Sequence, residues 1–190
     1  MKPYAPILAV IAALALLPIG TNSNTVLNFL SFAMIITIAA QGWNILGGYG
    51  GQFSFGHAVF FGTGAYAMAL LQTRLGINPW LALPMAMALG AAAGFAIGFL
   101  SFRARLRGSY FALVTLAFAE VFRISANAAA FTGGASGVLV PLKLDAVQMQ
   151  FADKRIFYWL ALSFVAAALC LTLRVTRCLL YTSPSPRDRG

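Results

Sequence analysis

Long apolar runs separated by short polar interruptions constrain this chain more than any other feature of its sequence. Six such runs lie at about residues 5–20, 25–46, 53–73, 80–101, 109–130 and 156–173. Each approaches or meets the roughly 20 residues that a helix needs to cross a bilayer. Only 9% of the residues are charged, whereas a soluble domain carries about a quarter. The sequence therefore predicts an all-α, polytopic transmembrane helical bundle with about six passes.

The interruptions between the runs are short and contain turn-forming residues. They are Thr21–Asn24, Gly47–Gly51, Gly76–Pro79 and Gly133–Gly137. Such short connections favour helical hairpins within one compact bundle.

The basic residues predict the orientation of the bundle, because cytoplasmic loops are enriched in lysine and arginine. In a six-pass arrangement one side carries Lys2, Arg103, Arg105, Arg107, Arg174 and Arg177. The other side carries Arg74, Lys143, Lys154 and Arg155, mixed with Asp145 and Asp153. The first side is therefore predicted to be cytoplasmic, with the N-terminus. The net charge of +9 is interpreted as this topology signal, and no nucleic-acid partner is predicted.

The fourth run carries small residues at every fourth position. They are Ala82, Ala86, Gly90, Gly94 and Gly98. This spacing places them on one stripe of a helix, which another helix can approach closely in lipid. The interpretation is structural helix packing.

Glycine is unusually frequent between residues 42 and 64, at membrane depth. Non-helical backbone inside a membrane must be sheltered by protein or line an aqueous cavity. Two interpretations stay open for residues 47–56. The segment is either a broken or re-entrant helix or a tight cytoplasmic turn.

Glu120 lies near the centre of the fifth run, where a carboxylate is expensive to place in lipid. It is expected to face the bundle interior, and Arg123, three residues later, is its predicted partner in an intramembrane ion pair. Two roles stay open for Glu120: a structural one, as an ion pair or a clamp between helices, or a role that lines or gates the substrate path.

Further polar residues cluster around the glycine-rich segment. His57 is the only histidine, and a packed hydrogen-bonding role is favoured over a proton relay. Neutral hydrogen-bonding groups nearby suit a polar, uncharged or zwitterionic solute. The predicted substrate path contains Asn44, Gln52, Ser54, His57, Thr115 and Glu120.

Signatures of enzymes are missing from the sequence. It contains no phosphate-binding loop of the Gly-x-x-x-x-Gly-Lys-Ser/Thr type, no His-Glu-x-x-His and no Gly-x-Ser-x-Gly. Cys170 and Cys178 form no metal-ligand spacing. No catalytic, metal or cofactor site is predicted, and any ATP is expected to bind another chain.

Three stretches in order carry a resemblance to a known family. They are Leu-Gly-Gly-Tyr-Gly-Gly-Gln-Phe-Ser-Phe-Gly-His-Ala at 46–58, Leu-Arg-Gly-Ser-Tyr-Phe-Ala-Leu-Val-Thr-Leu-Ala-Phe-Ala-Glu at 106–120, and Thr-Gly-Gly-Ala-Ser-Gly at 132–137. Over about residues 25–177 the chain resembles the permease subunits of bacterial branched-chain amino-acid ABC importers.

The resemblance implies an importer in the bacterial inner membrane. This chain would be one permease half, beside a second permease subunit, two cytoplasmic ATPase subunits that use ATP, and a periplasmic solute-binding protein. The implied solute is leucine, isoleucine or valine, although relatives carry other amino acids, short amides or urea. Two alternatives stay open: a passive channel, since Gly47–Gly51 superficially resembles a glycine-tyrosine-glycine filter, and a non-transporting membrane scaffold.

The two ends of the chain carry separate expectations. The run Ala5–Gly20 also fits a cleaved leader, but the chain stays hydrophobic beyond it, which favours a first transmembrane pass. In the family, a coupling loop and further helices follow an arginine pair like Arg174 and Arg177. Residues 1–177 are therefore expected to be the N-terminal part of a longer permease domain. The Ser/Pro/Arg-rich residues 178–190 are expected to be a non-native or disordered tail.

Overall fold

The computed structural model describes the backbone of residues 5–21, 23–143 and 145–182, and the side chains of 9–21, 23–143 and 145–177. The described residues form six α-helices: α1 (Ala5–Gly20), α2 (Asn24–Asn44), α3 (His57–Thr73), α4 (Pro79–Arg103), α5 (Ser109–Ala128) and α6 (Lys154–Thr182). Short helical turns lie at Ile45–Tyr49, Ala130–Thr132, Gly134–Ser136 and Ala146–Gln148. The all-helical prediction is confirmed.

Four stretches of helix are long and apolar enough to cross a membrane. They are Asn24–Tyr49, Pro79–Arg103, Ser109–Ala128 and Lys154–Arg177. A shorter apolar helix covers Ala9–Gly20, and α3 has 17 residues. Among the described residues, α2, α4, α5 and α6 thus meet this criterion of length and composition.

Two sequence predictions concern the ends of the chain: the tail at residues 178–190 and the basic residue Lys2. The backbone of α6 continues through Thr182, so residues 178–182 are helical. Residues 183–190, and Lys2 of the predicted cytoplasmic side, lie outside the described residues.

The described chain divides into two units. The first contains α1, α2 and α6, and the second contains Leu46–Ala152. In the first unit, α6 contributes Tyr158, Ala161, Leu162 and Val165 to the core, and α2 contributes Leu27 and Met34. The α6 residues recur three or four positions apart and the two α2 residues lie seven apart, so each set lies on one face of its helix. The packing of the first unit therefore follows from helical periodicity.

A proline in α1 adds a polar contact to this apolar packing. Pro18 lies inside α1 and has no N–H, so the carbonyl of Leu14 lacks its usual helical partner. The hydroxyl of Tyr158 donates to that carbonyl at 2.8 Å. The indole nitrogen of Trp159 donates to the next carbonyl, that of Ala15, at 3.3 Å. The proline thus leaves a carbonyl oxygen without its helical donor, and a side chain of α6 donates to it instead.

In the second unit, a tight turn joins α3 and α4 into a hairpin. Gly76 adopts a left-handed φ of 62°, and the N–H of Ile77 bonds the Leu71 carbonyl at 3.0 Å, which ends α3. The side chain of Asn78 accepts from the Trp80 N–H at 2.9 Å, and Pro79 is the first residue of α4. The predicted turn at Gly76–Pro79 is present because each residue suits its position.

Helices α3 and α4 pack through small residues. A Cβ added at Gly90 would lie 3.2 Å from the Phe60 carbonyl oxygen, and one at Gly64 would lie 3.7 Å from the Ala86 carbonyl oxygen. Ala82 and Ala86 are buried. Gly94 lies beside the ring of Phe60, whereas the atoms nearest to Gly98 belong to Phe102 of its own helix. Four members of the stripe therefore lie along α3, which begins at His57 and does not extend to Gly98.

Helix α4 ends in a motif that normally uses glycine. The N–H of Leu106 bonds the Ser101 carbonyl at 3.1 Å, and the N–H of Arg105 bonds the Phe102 carbonyl at 2.9 Å. The residue at the left-handed position of this motif is Arg105, with φ of 55°. A side chain there is strained relative to glycine.

Candidate functional site

The candidate site begins where helical structure is lost after α2. Residues Ile45–Tyr49 form a wider, π-helical turn, and residues 50–56 have no regular helix. Gly51 has φ of 63°, a conformation that glycine adopts without strain. The N–H of Gln52 bonds the Leu46 carbonyl at 3.1 Å. Non-helical backbone is therefore present at residues 50–56, and the two interpretations, a broken or re-entrant helix and a tight cytoplasmic turn, both stay predictions.

Gly56 brings this segment into close contact with α5. A methyl group at Gly56 would overlap the Thr115 carbonyl oxygen and lie 2.8 Å from its carbon. Thr115 is 2% exposed, and its hydroxyl donates to the Ala112 carbonyl at 2.9 Å. Only a residue without a side chain fits at this approach. The contact thereby joins the first resemblance motif to the second.

Polar side chains surround this contact. Ser54 is 1% exposed, and His57 is half-buried with its ring edge-on to Phe60 at 5.2 Å between centroids. The side-chain oxygen of Gln52 and Nδ1 of His57 are buried and have no hydrogen-bond partner among the described residues. Buried polar atoms are normally paired. Within the part of the chain that the structure describes, these two atoms are exceptions to that rule.

The third motif stabilises the end of α5. The Thr132 hydroxyl donates to the carbonyls of Ala126 and Ala129, the latter at 2.7 Å. Gly133, Gly134 and Gly137 all have positive φ, and a side chain at Gly133 would overlap the Gly137 carbonyl. The threonine thus supplies a donor to the Ala126 carbonyl, one of those at the helix end that lack a helical partner.

Glu120 and Arg123 form a two-pronged ion pair on α5. Nε of Arg123 donates to one carboxylate oxygen at 3.0 Å and Nη2 to the other at 2.5 Å. The side chains are 54% and 62% exposed, so Glu120 does not face the interior of the described chain. Five residues separate it from Thr115, which rotates it about 140° away from the buried face. The predicted partners therefore meet, but on the outer side of α5.

Three polar residues remain to be located: Asn44, which the sequence predicted as a site residue, and Gln41 and Ser101, which it did not. Asn44 is the exposed last residue of α2 and belongs to the first unit. Sequence reasoning did not single out Gln41 or Ser101, whose side-chain oxygens are buried without a hydrogen-bond partner among the described residues. The available signal was a polar residue within an apolar run.

No metal site is evident in the parts of the chain that the structure describes, since no three His, Cys, Asp or Glu side chains cluster there. A cavity of about 620 Å³ lies at the far end of α3 and is lined mainly by apolar residues, including Leu71, Leu89 and Phe131. It contains none of the predicted site residues. The polar groups near Gly56 therefore remain the candidate site.

The fold and this site define a multi-pass helical membrane protein with a non-helical segment beside a buried polar cluster. Residues 25–182 match the model of a family described as the permease component of the branched-chain amino acid transport system. The chain belongs to this family, which confirms the resemblance. A permease component is a transport subunit and not a catalytic one.

Two curated relatives are similar to part of the chain. The high-affinity branched-chain amino acid transport system permease protein LivM of Escherichia coli (strain K12) is 41% identical over 109 residues, which are 57% of this chain and 25% of the relative. LivM of Salmonella typhimurium (strain LT2) gives the same values. The matched stretch spans about a quarter of the length of these relatives. No solved structure matches the chain.

Proposed function

We propose that this chain is a membrane-spanning permease subunit of an ATP-binding-cassette importer in the bacterial inner membrane. The solute is a branched-chain amino acid or a related amino acid, amide or urea. A second permease subunit, two ATPase subunits and a periplasmic solute-binding protein complete the importer, and ATP is hydrolysed on the ATPase subunits. The family match over residues 25–182 supports this proposal.

The observation that carries the proposal is the polar break around Gly56. Transporter sites near the bilayer midplane are typically built from discontinuous helices with exposed polar groups. The amide oxygen of Gln52 has no partner among the described residues and can accept from a solute ammonium group once the site opens. His57 can donate or accept at Nδ1 according to its tautomer. These are the groups that a neutral or zwitterionic solute requires.

Charge distribution supports a six-pass topology with the N-terminus in the cytoplasm. In the second unit, Trp80 at the start of α4 bonds the Ala146 carbonyl, so Arg74 and Lys143 lie near that end. Arg103 lies at the other end of α4, about 36 Å away at 1.5 Å per residue. In α6, Lys154 and Arg155 precede the apolar stretch and Arg174 and Arg177 follow it.

A glycine-tyrosine-glycine channel filter has less support. Gly47 to Tyr49 lie within the π-helical turn, where carbonyls are directed along the helix. A selectivity filter requires carbonyls directed into a pore. The importer is therefore favoured over the channel.

The decisive experiment measures uptake of labelled leucine by proteoliposomes that contain the assembled importer. Gln52→Leu should lower uptake at least tenfold while the yield of assembled complex stays at the wild-type level. Gln72→Leu, the same change near the other end of α3, serves as the matched control. Uptake that persists without ATP and the solute-binding protein would contradict the importer and favour a channel.

A further inference from the structure

The end of α4 that α3 does not cover carries an apolar groove. The groove has a volume of about 530 Å³ and is lined by Gly94, Phe95, Gly98, Phe99, Phe102 and Arg103. The glycines leave a shallow floor, and the rings of Phe95 and Phe99 stack beside it with centroids 6.1 Å apart. Phe102 stacks on Phe111 of α5 at 5.6 Å. The groove is therefore apolar along its length and reaches a guanidinium at one end.

Three arginines lie at or just after this end of α4. Arg103, Arg105 and Arg107 are exposed, and none forms an ion pair with an acidic side chain among the described residues. The sequence contains no acidic residue before Glu120, which is paired with Arg123. Asp145, the remaining acid of the second unit, precedes the turn that bonds Trp80 at the opposite end of α4. Among the described residues of the second unit, the cluster thus has no acidic partner.

The backbone adds a second observation at the same place. Arg105 occupies the left-handed position that ends α4, with φ of 55°, where glycine would be unstrained. Residues in such conformations persist where the surrounding structure over-determines them, and they cluster at active sites and ligand clamps. The three arginines lie within the five-residue stretch 103–107, which contains this turn.

We propose that this end of α4 binds one anionic glycerophospholipid, with an acyl chain over Gly94 and Gly98 and the phosphate at Arg103 and Arg105. An apolar groove that ends in uncompensated positive charge matches a molecule with an apolar chain and an anionic head. Basic residues beside a membrane helix attract anionic lipids in this way. Arginine suits a phosphate because its planar fork donates two hydrogen bonds.

A second helix and a soluble anion fit the site less well. A helix in the groove would leave the arginines unneutralised unless it supplied its own acid. A soluble phosphate would use the arginines and leave the groove empty. The proposal requires only that the chain is inserted in a membrane. It does not depend on which solute is transported or on the direction of transport. Its failure would therefore leave the proposed transport function untouched.

Native mass spectrometry of the full chain in neutral detergent tests the proposal. The probes are phosphatidylglycerol and phosphatidylethanolamine with identical acyl chains. We expect phosphatidylglycerol to be retained at least tenfold more, and Arg103→Gln or Arg105→Gln to reduce its binding by about fivefold for each charge removed. Arg74→Gln removes the same charge at the other end of α4 and should leave binding unchanged.

A groove variant tests where the acyl chain lies. Gly98→Leu fills the groove, and Gly98 has space for a side chain beside Phe102. We expect this variant to lose the preferential retention while keeping the wild-type melting temperature. Equal binding of the two lipids, displacement by inorganic phosphate, or undiminished retention by Gly98→Leu would each overturn the proposal. A wild-type dimer that Gly98→Leu abolishes would assign the groove to a second copy instead.

Discussion

The Tyr158 hydroxyl donates a hydrogen bond of 2.8 Å to the Leu14 carbonyl oxygen, across 144 residues of sequence. The carbonyl is available because Pro18, four residues later, has no N–H to donate to it. Tyr158 is fully buried, so its hydroxyl requires a partner as much as the carbonyl does. Proline and tyrosine together therefore tie α1 to α6 in the first unit.

Removing the Tyr158 hydroxyl should weaken the first unit. Tyr158→Phe leaves the Leu14 carbonyl unsatisfied, and we expect the free energy of unfolding to fall by roughly 0.5–2 kcal/mol. Unfolding in mixed detergent, followed by tryptophan fluorescence, measures the loss. Pro18→Ala restores the helical N–H, so Tyr158→Phe should lose less in that background. Equal losses in the two backgrounds would contradict the role of Pro18.

The approach of Gly56 to α5 should be intolerant of a methyl group. Gly56→Ala would overlap the Thr115 carbonyl, and we expect a destabilisation of about 1–3 kcal/mol together with reduced uptake by the assembled importer. Gly62→Ala, where a Cβ meets nothing within 4 Å, is the matched control and should be neutral or stabilising. Similar melting temperatures for the two variants would refute the close contact.

A leucine should destabilise the α3–α4 hairpin at Gly90 but not at Gly98, although both glycines belong to the same stripe. Gly90→Leu would force α3 and α4 apart, because a Cβ there already lies 3.2 Å from the Phe60 carbonyl oxygen. We expect a destabilisation of about 1–3 kcal/mol, measured by thermal unfolding in detergent. Gly98→Leu introduces the same side chain away from α3 and should unfold near the wild-type temperature. A reversed order would show that the stripe packs elsewhere.

Neutralising one member of the α5 ion pair should lower assembly more than neutralising both. Glu120→Gln leaves Arg123 uncompensated in a membrane span, where an unpaired charge costs about 2.5–3.5 kcal/mol on insertion scales. We expect the yield of assembled complex, measured by size-exclusion chromatography, to fall in each single variant. The double variant Glu120→Gln/Arg123→Gln should recover most of it.

The double variant also separates the two roles left open for Glu120. A structural ion pair within α5 predicts that the double variant both assembles and transports, whereas a clamp between helices predicts that its assembly stays low. A place along the substrate path predicts normal assembly with lost uptake. Single variants that assemble and transport like the wild type would exclude both roles.

The helical architecture could be predicted from the sequence to within a few residues, except at the end of α6, which lies nine residues beyond the predicted run. Apolar runs of about bilayer length, bounded by Asn, Gly and Pro, define helices locally, because each signal acts within a few residues of the chain. The turn at Gly76–Pro79 and the partnership of Glu120 with Arg123 are local in the same way. The family motifs were also readable, since their order and spacing are properties of the sequence alone.

The candidate site was predicted only in part. Gln52, Ser54, His57 and Thr115 were named from their polarity within apolar runs, and Ser54 and Thr115 are buried in the second unit. Glu120 was expected to face inward because a carboxylate is unfavourable in lipid, but it lies on the outer side of α5 beside Arg123. Pairing within the helix neutralises the carboxylate and removes the need to bury it.

The sequence by itself determined where the helices lie, which residues are polar within them and to which family the chain belongs. The tertiary structure decided which faces meet: Gly56 against Thr115, Gly90 against Phe60, and Tyr158 against the carbonyl that Pro18 leaves free. These contacts join positions far apart in the chain. They depend on helix rotation and on where α3 begins, which no local pattern of residues specifies.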